Sequence, residues 1–377
     1  MSMLARDWGI APGRLPAGRT NTILDVGDIG VGHVTLNEGD RHTGVTALLP
    51  HGGNLFREKI PAAVHVINGF GKSSGLIQVL ELGTLETPIV LTNTLCVGTA
   101  FQSLVQDALE QNPEIGRSTG TVNPVVFECN DGVLNDIRDC AVTVEHVRTA
   151  IRAGRESCQP ADRFETAPGS QGDAQEVPQG AVGAGRGMCC YDLKGGIGTS
   201  SRQIKEYTLG TLVLTNFGSL KDLRIEGQPV GEVLLGFEEI SRSIASASAQ
   251  RNPGEQGSVI VLLATDAPLS TRQLGRLARR ASAGLARTGA FIAGGSGEIA
   301  LAFSTAYRLP HYGTQAVMEL PCLHEDMLDK FFLGAVESIE EAVLNSMIAA
   351  ERVEGRAGHV RCSLADYLGR LGYQARA

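Results

Sequence analysis

The hydrophobic and polar residues of the chain follow two spacings, and each spacing predicts a different element. Short apolar runs that end at glycine, proline or asparagine predict buried strands. Such runs lie at residues 45–50, 62–69, 88–92, 125–127, 209–216, 259–264, 291–293 and 299–303. Apolar residues three and four positions apart predict helices instead. This spacing occurs over residues 101–109, 233–249, 274–285 and 328–347.

The order of these elements limits the fold class. Strands and helices occur in groups rather than in strict alternation, which favours stacked sheets with helices outside over a doubly wound parallel sheet. Glycines punctuate residues 23–34 and 195–202, so we expect a strand, a tight turn and a second strand in the former and a tight loop in the latter. Residues 155–182 are polar with almost no aliphatic side chains, which predicts an exposed insertion. Ser270 and Gln273 have capping-box spacing and predict a helix start.

Composition excludes several classes of protein. The 377 residues carry a net charge of -8, with 42% hydrophobic and 20% charged residues, which is typical of a soluble globular chain. An acidic chain is a poor non-specific partner for nucleic acid or an anionic membrane. No apolar run has the length of a transmembrane helix, and the first twenty residues lack the apolar core of a secretory signal. We therefore expect a cytoplasmic protein with no nucleic-acid or membrane partner.

The eight cysteines do not predict a metal site. They include no C-x-x-C pair, and the adjacent Cys189 and Cys190 suit neither a zinc knuckle nor an ordinary disulfide. In a cytoplasmic chain such cysteines are expected to be small buried hydrophobic residues. His33 likewise has no second histidine at metal-ligand spacing, so we expect no metal.

A glycine–serine pair at the start of one predicted strand has the chemistry of a self-cleaving nucleophile. Gly257 can hold a backbone geometry that other residues resist, and Ser258 places a hydroxyl beside its carbonyl. The same pair is also an ordinary turn before a buried strand. No Ser-His-Asp pattern stands out, and residues 294–298 do not form a G-x-S-x-G elbow because they end in glutamate. The base for Ser258 would then be its own α-amine, whose ordinary pKa is about 7.7–8.0.

Four other polar residues are candidates for a site. Ser296 and Glu298 share a face if the strand extends through them, so together they could relay a proton; otherwise they are a turn and a surface carboxylate. Asn216, at a strand end, could donate to an oxyanion or simply form a turn. Glu128, at another strand end, could hold a substrate ammonium or be a solvated loop residue.

A wider pattern surrounds these candidates. It consists of residues 23–33, 123–137, 195–202, 215–218, 257–269, 294–298 and 340–346. Together these segments resemble the self-processing L-aminopeptidase/D-esterase and β-aminopeptidase family of serine peptidases. The resemblance covers nearly the whole chain and is most specific at residues 257–261 (GSVIV) and 264–269 (ATDAPL).

The resemblance implies a fold, a cut and a set of roles. It implies an α/β protein with a four-layer α/β/β/α sandwich, similar to N-terminal-nucleophile hydrolases but with different strand connectivity. Residues 1–377 would form a single catalytic domain, cut between Gly257 and Ser258 into fragments 1–257 and 258–377. Ser258 would be the nucleophile, Ser296 and Glu298 its partners, and Asn216 an oxyanion donor.

The resemblance also implies a substrate class and an assembly. Glu128 would lie near the free amine of a small peptide, amide or ester substrate, with no metal or organic cofactor. The mature enzyme would be a homotetramer of paired fragments. An acyltransferase resembling ornithine acetyltransferase is an alternative, although those enzymes use an N-terminal threonine. An unprocessed, non-catalytic binding protein is another. The sequence leaves open the choice between α- and β-amino acids and between L and D substrates.

Overall fold

The computed structural model describes residues 3–158, 176–241, 257–313 and 315–375 of the protein. Its strands, in chain order, are β1 (Gly30–Glu38), β2 (Arg41–Leu49), β3 (Glu58–Gly69), β4 (Thr84–Leu85), β5 (Ile89–Asn93), β6 (Val125–Cys129), β7 (Cys189–Cys190), β8 (Leu193–Lys194), β9 (Gly196–Ile204), β10 (Tyr207–Phe217), β11 (Gly257–Thr265), β12 (Ser296–Ser304), β13 (Leu309–Pro310), β14 (Val353–Glu354) and β15 (Val360–Arg361). Its helices are α1 (Leu76–Leu82), α2 (Val97–Gln111), α3 (Val144–Ser157), α4 (Val230–Leu235), α5 (Thr271–Ala278), α6 (Ala281–Arg287), α7 (Leu328–Ile348) and α8 (Ala365–Leu368).

Most of the strands form two sheets. The smaller sheet has the strand order β1-β2-β5-β6, in which only the β5–β6 pair is parallel. The larger sheet has the order β13-β3-β12-β11-β10-β9, with β4 beside β3. In this sheet β11 and β12 run parallel, and the other pairs are antiparallel. Four parts of the chain that are far apart in sequence therefore meet in the middle of the larger sheet.

The two sheets pack face to face over a shared apolar core. Leu91 and Phe127 project into it from the smaller sheet, and Leu212, Ile260 and Leu301 project from the larger one. All five side chains are buried. Each contributes roughly 1.5–3 kcal/mol of favourable transfer free energy, so this interface holds the inner faces of both sheets against each other.

Helices cover the outer face of each sheet. Helices α2 and α3 pack on the smaller sheet, where Ala150 meets Val90 in one apolar cluster. Helices α5, α6 and α7 pack on the larger sheet, where Leu274 and Ile339 join Val261. The layer order is thus α/β/β/α, and the predicted four-layer sandwich is confirmed.

Three local predictions are wrong. Residues Ile23–Val26 form a 3₁₀ helix rather than a strand, because the Thr22 side chain accepts a hydrogen bond from the Leu24 amide at its start. The expected loop at 195–202 is instead the strand β9. Its glycines mark a close approach rather than a turn, since a Cβ on Gly198 would lie 2.9 Å from the carbonyl carbon of Ala342 in α7. Residues 291–293 form no strand, and Ile292 has a left-handed φ of 60°.

The expected insertion is narrower than residues 155–182. Residues up to Ser157 complete α3, and Ser157 is buried with its hydroxyl bonded to the backbone of Val31. On the other side, Val177 is buried in the core between the sheets, and Ala181 is buried in a small apolar cluster with Cys189. The rest of the predicted insertion, residues 159–175, lies outside the described residues.

The helix predicted over 233–249 is described only in part. Helix α4 ends at Leu235, a short helical segment follows at 238–241, and the remainder lies outside the described residues. The helix predicted over 274–285 does start after Ser270, where Ser270 and Gln273 form the predicted capping box, but it is divided at Arg279 and Arg280 into α5 and α6. The long C-terminal helix is confirmed as α7.

The cysteine prediction holds for some residues. All eight cysteines are free thiols, and Cys96, Cys129, Cys189 and Cys190 are buried as expected. The prediction is wrong for Cys140 and Cys322, which are exposed. Among the described residues, no helix combines the length and the apolar character needed to cross a membrane.

Candidate active site

Backbone pairing in the larger sheet brings four predicted site residues together. In β11, Ser258 pairs with Asn216 of β10 on one side and with Gly297 of β12 on the other. Ser296 and Glu298 flank Gly297, and Ser296 pairs with Gly257. The four side chains are buried, with Ser258 5% exposed. Residues separated by up to 82 positions in sequence thus lie on three adjacent strands.

Ser296 and Glu298 act as one unit. Both lie in β12, which extends through them, so they share a face of the strand as predicted. The Ser296 hydroxyl donates a hydrogen bond to the Glu298 carboxylate. The other carboxylate oxygen of Glu298 has no hydrogen-bond partner among the described residues. Burial raises the pKa of Glu298 above its ordinary value, and the bond from Ser296 partly offsets that rise.

The Asn216 amide is held from two sides. Its Oδ1 accepts from the Cys189 amide at 2.9 Å, and its Nδ2 donates to the Asn130 carbonyl at 2.8 Å. An amide NH₂ has two protons, and the second has no acceptor among the described residues. A fixed amide with a spare proton, directly beside Ser258, is suited to stabilise a developing oxyanion.

Glu128 reaches the site from the smaller sheet. It lies at the end of β6 and is buried, and its carboxylate accepts hydrogen bonds from the Lys72 amide at 2.8 Å and from the Thr94 hydroxyl. The next residue, Cys129, is buried in the core between the two sheets. Burial raises the pKa of the Cys129 thiol, the charges of Glu128 and Glu298 raise it further, and a hydrogen bond with the Ser258 side chain opposes them. The end of β6, which carries Glu128 and Cys129, therefore lies close to the start of β11, which carries Ser258.

The backbone at residue 257 requires glycine. Gly257 has a φ of 113°, a region that residues with a Cβ rarely adopt. A Cβ there would lie 2.9 Å from the Cα of Phe217 and still closer to the Asn216 carbonyl oxygen. The peptide bond before Ser258 is thus held in a conformation that only glycine tolerates.

Sequence reasoning missed the residues that support this site. The glycine-rich segment 70–75 runs over the strand ends, where a Cβ on Gly297 would be 2.7 Å from the Phe70 carbonyl oxygen. The Asn68 amide donates to the carbonyl oxygens of Ala293 and Ser296, and so fixes the turn before β12. The glycines were the available signal, because a glycine can mark the close approach of another backbone as well as a turn.

No metal centre accompanies these groups in the described ranges. There, no set of three or more His, Cys, Asp or Glu side chains is arranged to hold a metal ion. The arrangement instead combines a buried hydroxyl, an amide donor and two carboxylates, which are the groups that acyl transfer through a serine ester uses.

Comparison with known proteins identifies the family. The model of peptidase family S58 matches residues 21–361. The chain belongs to peptidase family S58. A curated relative, beta-peptidyl aminopeptidase BapA of Sphingosinicella xenopeptidilytica, is 36% identical over 369 residues, which cover 93% of this chain and 86% of that protein. The resemblance inferred from the sequence is confirmed.

Solved structures of the same fold agree with this family assignment. The crystal structure of the PH0078 protein from Pyrococcus horikoshii OT3 has a TM-score of 0.85 and 43% identity, covering 99% of this chain and 100% of that one. The L-aminopeptidase D-Ala-esterase/amidase from Ochrobactrum anthropi has a TM-score of 0.82 and 33% identity, covering 98% of this chain and 99% of that one. That structure is described as a prototype for the serine aminopeptidases and a new variant among the Ntn hydrolase fold.

The S58 chain is a serine aminopeptidase, and therefore an enzyme of the hydrolase class. The fold is the Ntn-hydrolase-like variant of these aminopeptidases. The acyltransferase and the non-catalytic binding protein are not favoured, because the family and its relatives are aminopeptidases.

Burial of the Glu298 carboxyl makes the free energy of unfolding depend on pH. Because its pKa is raised in the folded state, its contribution to stability is present below pH 4.5 and is lost as pH rises through the folded pKa. We expect Glu298→Gln to be more stable than its parent at neutral pH, with the difference disappearing near pH 4.5. Both chains should carry Ser258→Ala to remove the nucleophile, and urea midpoints measure the difference.

Glu110→Gln is the matched control, because Glu110 is exposed and pairs with Arg148 at the surface. It should show no such gain at neutral pH. A Glu298→Gln gain that is absent, or that is the same at both pH values, would show that burial does not penalise this carboxylate.

Proposed function

We propose that this serine aminopeptidase activates itself by cutting the bond between Gly257 and Ser258. The Ser258 hydroxyl attacks the Gly257 carbonyl carbon, the acyl group moves from nitrogen to oxygen, and water hydrolyses the resulting ester. The products are fragments 1–257 and 258–377, with a free α-amine on Ser258. The observation that carries this proposal is the glycine-only backbone at 257, held directly beside the Asn216 amide.

The same residues then turn over substrate. The α-amine of Ser258 accepts the proton of its own hydroxyl, and the oxygen attacks the substrate carbonyl. The spare amide proton of Asn216 stabilises the oxyanion, and the leaving group departs with the proton. Ser296 and Glu298 support the α-amine. Ser296 of β12 pairs with Gly257 of β11, the residue before Ser258, and the Ser296 hydroxyl donates its proton in a hydrogen bond to Glu298. Water releases the acyl group from Ser258.

Glu128 selects substrates with a free N-terminal amine. Its buried carboxylate lies at the end of β6, next to Cys129, whose thiol contacts the Ser258 side chain, and an ammonium is the natural partner of a buried carboxylate. The substrates are small peptides, amides or esters. The names of two relatives support this class, since one is a beta-peptidyl aminopeptidase and the other an L-aminopeptidase D-Ala-esterase/amidase.

We further propose that the enzyme is cytoplasmic and has no nucleic-acid or membrane partner. Eight free thiols suit a reducing compartment. The net charge of -8 disfavours binding to polyanions.

The mature enzyme is proposed to be a homotetramer of processed heterodimers. Helix α1 carries exposed apolar side chains, including Ile77, which is 85% exposed, and Leu80, which is 61% exposed. These residues support a subunit contact, because a cluster of apolar side chains in water is thermodynamically unfavourable. Sedimentation equilibrium should give about four times the chain mass of 39.8 kDa. A species of 39.8 kDa that persists at all concentrations would rule the tetramer out.

Self-processing is tested by Ser258→Ala. The wild-type protein should run as two fragments, and sequencing of the smaller one should begin at Ser258. Ser258→Ala should remain one chain and be inactive, because alanine has no hydroxyl to attack the carbonyl. Exposed Ser118→Ala is the control and should process normally. A Ser258→Ala protein cut at the same bond would show that another protease makes the cut.

The amine-binding role is tested by Glu128→Gln. A charge-assisted hydrogen bond is worth roughly 1.5–3 kcal/mol, so we expect this variant to process normally but lose one to two powers of ten in kcat/KM on aminoacyl p-nitroanilides. N-acetylated substrates should be poor for both proteins. Glu298→Gln should instead impair turnover of every substrate.

Exposed Glu110→Gln is the control for the loss of a carboxylate elsewhere. Unchanged kcat/KM in Glu128→Gln would assign Glu128 a purely structural role at the strand end, with the amine bound by another group.

A further inference from the structure

A buried lysine next to the site has no role in the mechanism above. Lys194, in β8, is fully buried, which is unusual for a lysine. Its Nζ donates to the carbonyl oxygens of Gly185 at 2.9 Å, Met188 at 2.8 Å and Gly195 at 2.8 Å. An ammonium has three donors, and all three are used.

One of these bonds leads directly to the proposed oxyanion donor. The Met188 carbonyl and the Cys189 amide belong to the same peptide group. Lys194 binds the oxygen of that group at 2.8 Å, and its N–H donates to Asn216 Oδ1 at 2.9 Å. Lys194, the Met188–Cys189 peptide and the Asn216 side chain therefore form an unbroken chain of hydrogen bonds, called the relay below, which ends at the amide proton beside Ser258.

The charge of Lys194 matters to this chain. Burial lowers the pKa of the lysine, whereas three carbonyl acceptors favour the ammonium, which alone has three protons to give. The titratable groups around it are Arg186, Glu351, His42, the thiols of Cys189 and Cys190, and Asp131, whose pKa burial raises to about 7. A cation on the Met188 oxygen polarises the peptide, makes the Cys189 N–H a stronger donor and in turn polarises the Asn216 amide.

We propose that Lys194 is a positioning residue that orients and polarises the Asn216 amide through the Met188–Cys189 peptide, and so strengthens oxyanion stabilisation at Ser258. The inference rests on the proposed role of Asn216. Lys194 itself contacts neither the substrate nor the nucleophile. Because the oxyanion exists only in the transition state, Lys194 should affect kcat rather than KM.

The test is a double-mutant cycle on the full-length protein. The variants are Lys194→Met, Asn216→Ala and the double variant. For each, kcat is measured on an aminoacyl p-nitroanilide and divided by the concentration of processed enzyme, which the burst of product from an ester substrate gives. We expect Asn216→Ala to lose on the order of 10²–10³ in kcat. Lys194→Met should lose about tenfold, with KM changed by less than about twofold. The double variant should be no slower than Asn216→Ala, because the relay has no effect once its end is missing.

Controls separate this role from a general loss of structure. Exposed Lys205→Met, at the turn after β9, should leave kcat unchanged. If Lys194→Met does not fold, Lys194→Gln retains hydrogen-bond donors without the charge and replaces it in the cycle. If Asn216→Ala is cut too slowly to give mature enzyme, the rate constant of chain scission replaces kcat for every variant, since an oxyanion also forms in that step, on the Gly257 carbonyl.

Each outcome has a distinct meaning. Losses that multiply in the double variant would overturn the relay and make Lys194 a structural residue. Wild-type kcat in Lys194→Met would overturn it as well. Wild-type kcat in Asn216→Ala would overturn the oxyanion role in the proposed function, whatever the lysine variant does.

Discussion

The proposed active site depends on the backbone pairing of the central strands β10, β11 and β12. This register places Ser258 between Asn216 and Gly297, and Gly257 opposite Ser296. A shift of one residue would turn every side chain to the other face of the sheet. Because both faces of the larger sheet are covered, one by the second sheet and one by helices, the apolar pattern fixes the register strongly. The geometry of catalysis therefore depends on the packing of the core.

Close backbone approach is the second constraint, and glycine is the residue that permits it. Gly257 places its carbonyl in a conformation that other residues avoid, directly beside the chain of Asn216 and Phe217. Gly198 lets β9 lie against α7, and Gly297 leaves room for the loop at Phe70. These positions link the packing of the sandwich to the chemistry at its centre, because the strands that carry the site could not approach so closely with larger residues.

The two carboxylates of the proposed site come from different sheets. Glu128 comes from the smaller sheet and Glu298 from the larger, and their environments differ. Glu128 is satisfied by the Lys72 amide and the Thr94 hydroxyl, whereas one oxygen of Glu298 has no partner among the described residues and burial raises its pKa. Two carboxylates in different surroundings can carry different roles, one in binding charge and the other in handling a proton.

The sequence by itself determined the layers of the fold and pointed to the proposed nucleophile. Apolar runs such as 259–264 are long enough to be recognised as buried strands, and the capping box at Ser270 marks a helix start locally. Gly257-Ser258 at the start of a strand, together with the family resemblance, was enough to suggest self-cleaving chemistry. These features are encoded within a few neighbouring residues.

Only the tertiary structure decided which residues support that chemistry. The glycines at 195–202 predicted a loop, but they lie in β9 because α7 packs against them. The link from Lys194 through Met188 and Cys189 to Asn216 has no local signature, since it depends on a hairpin folding against β10. Local pattern reports propensity and burial, whereas such contacts join residues that meet only when distant strands pair, and this is why they could not be predicted from the sequence.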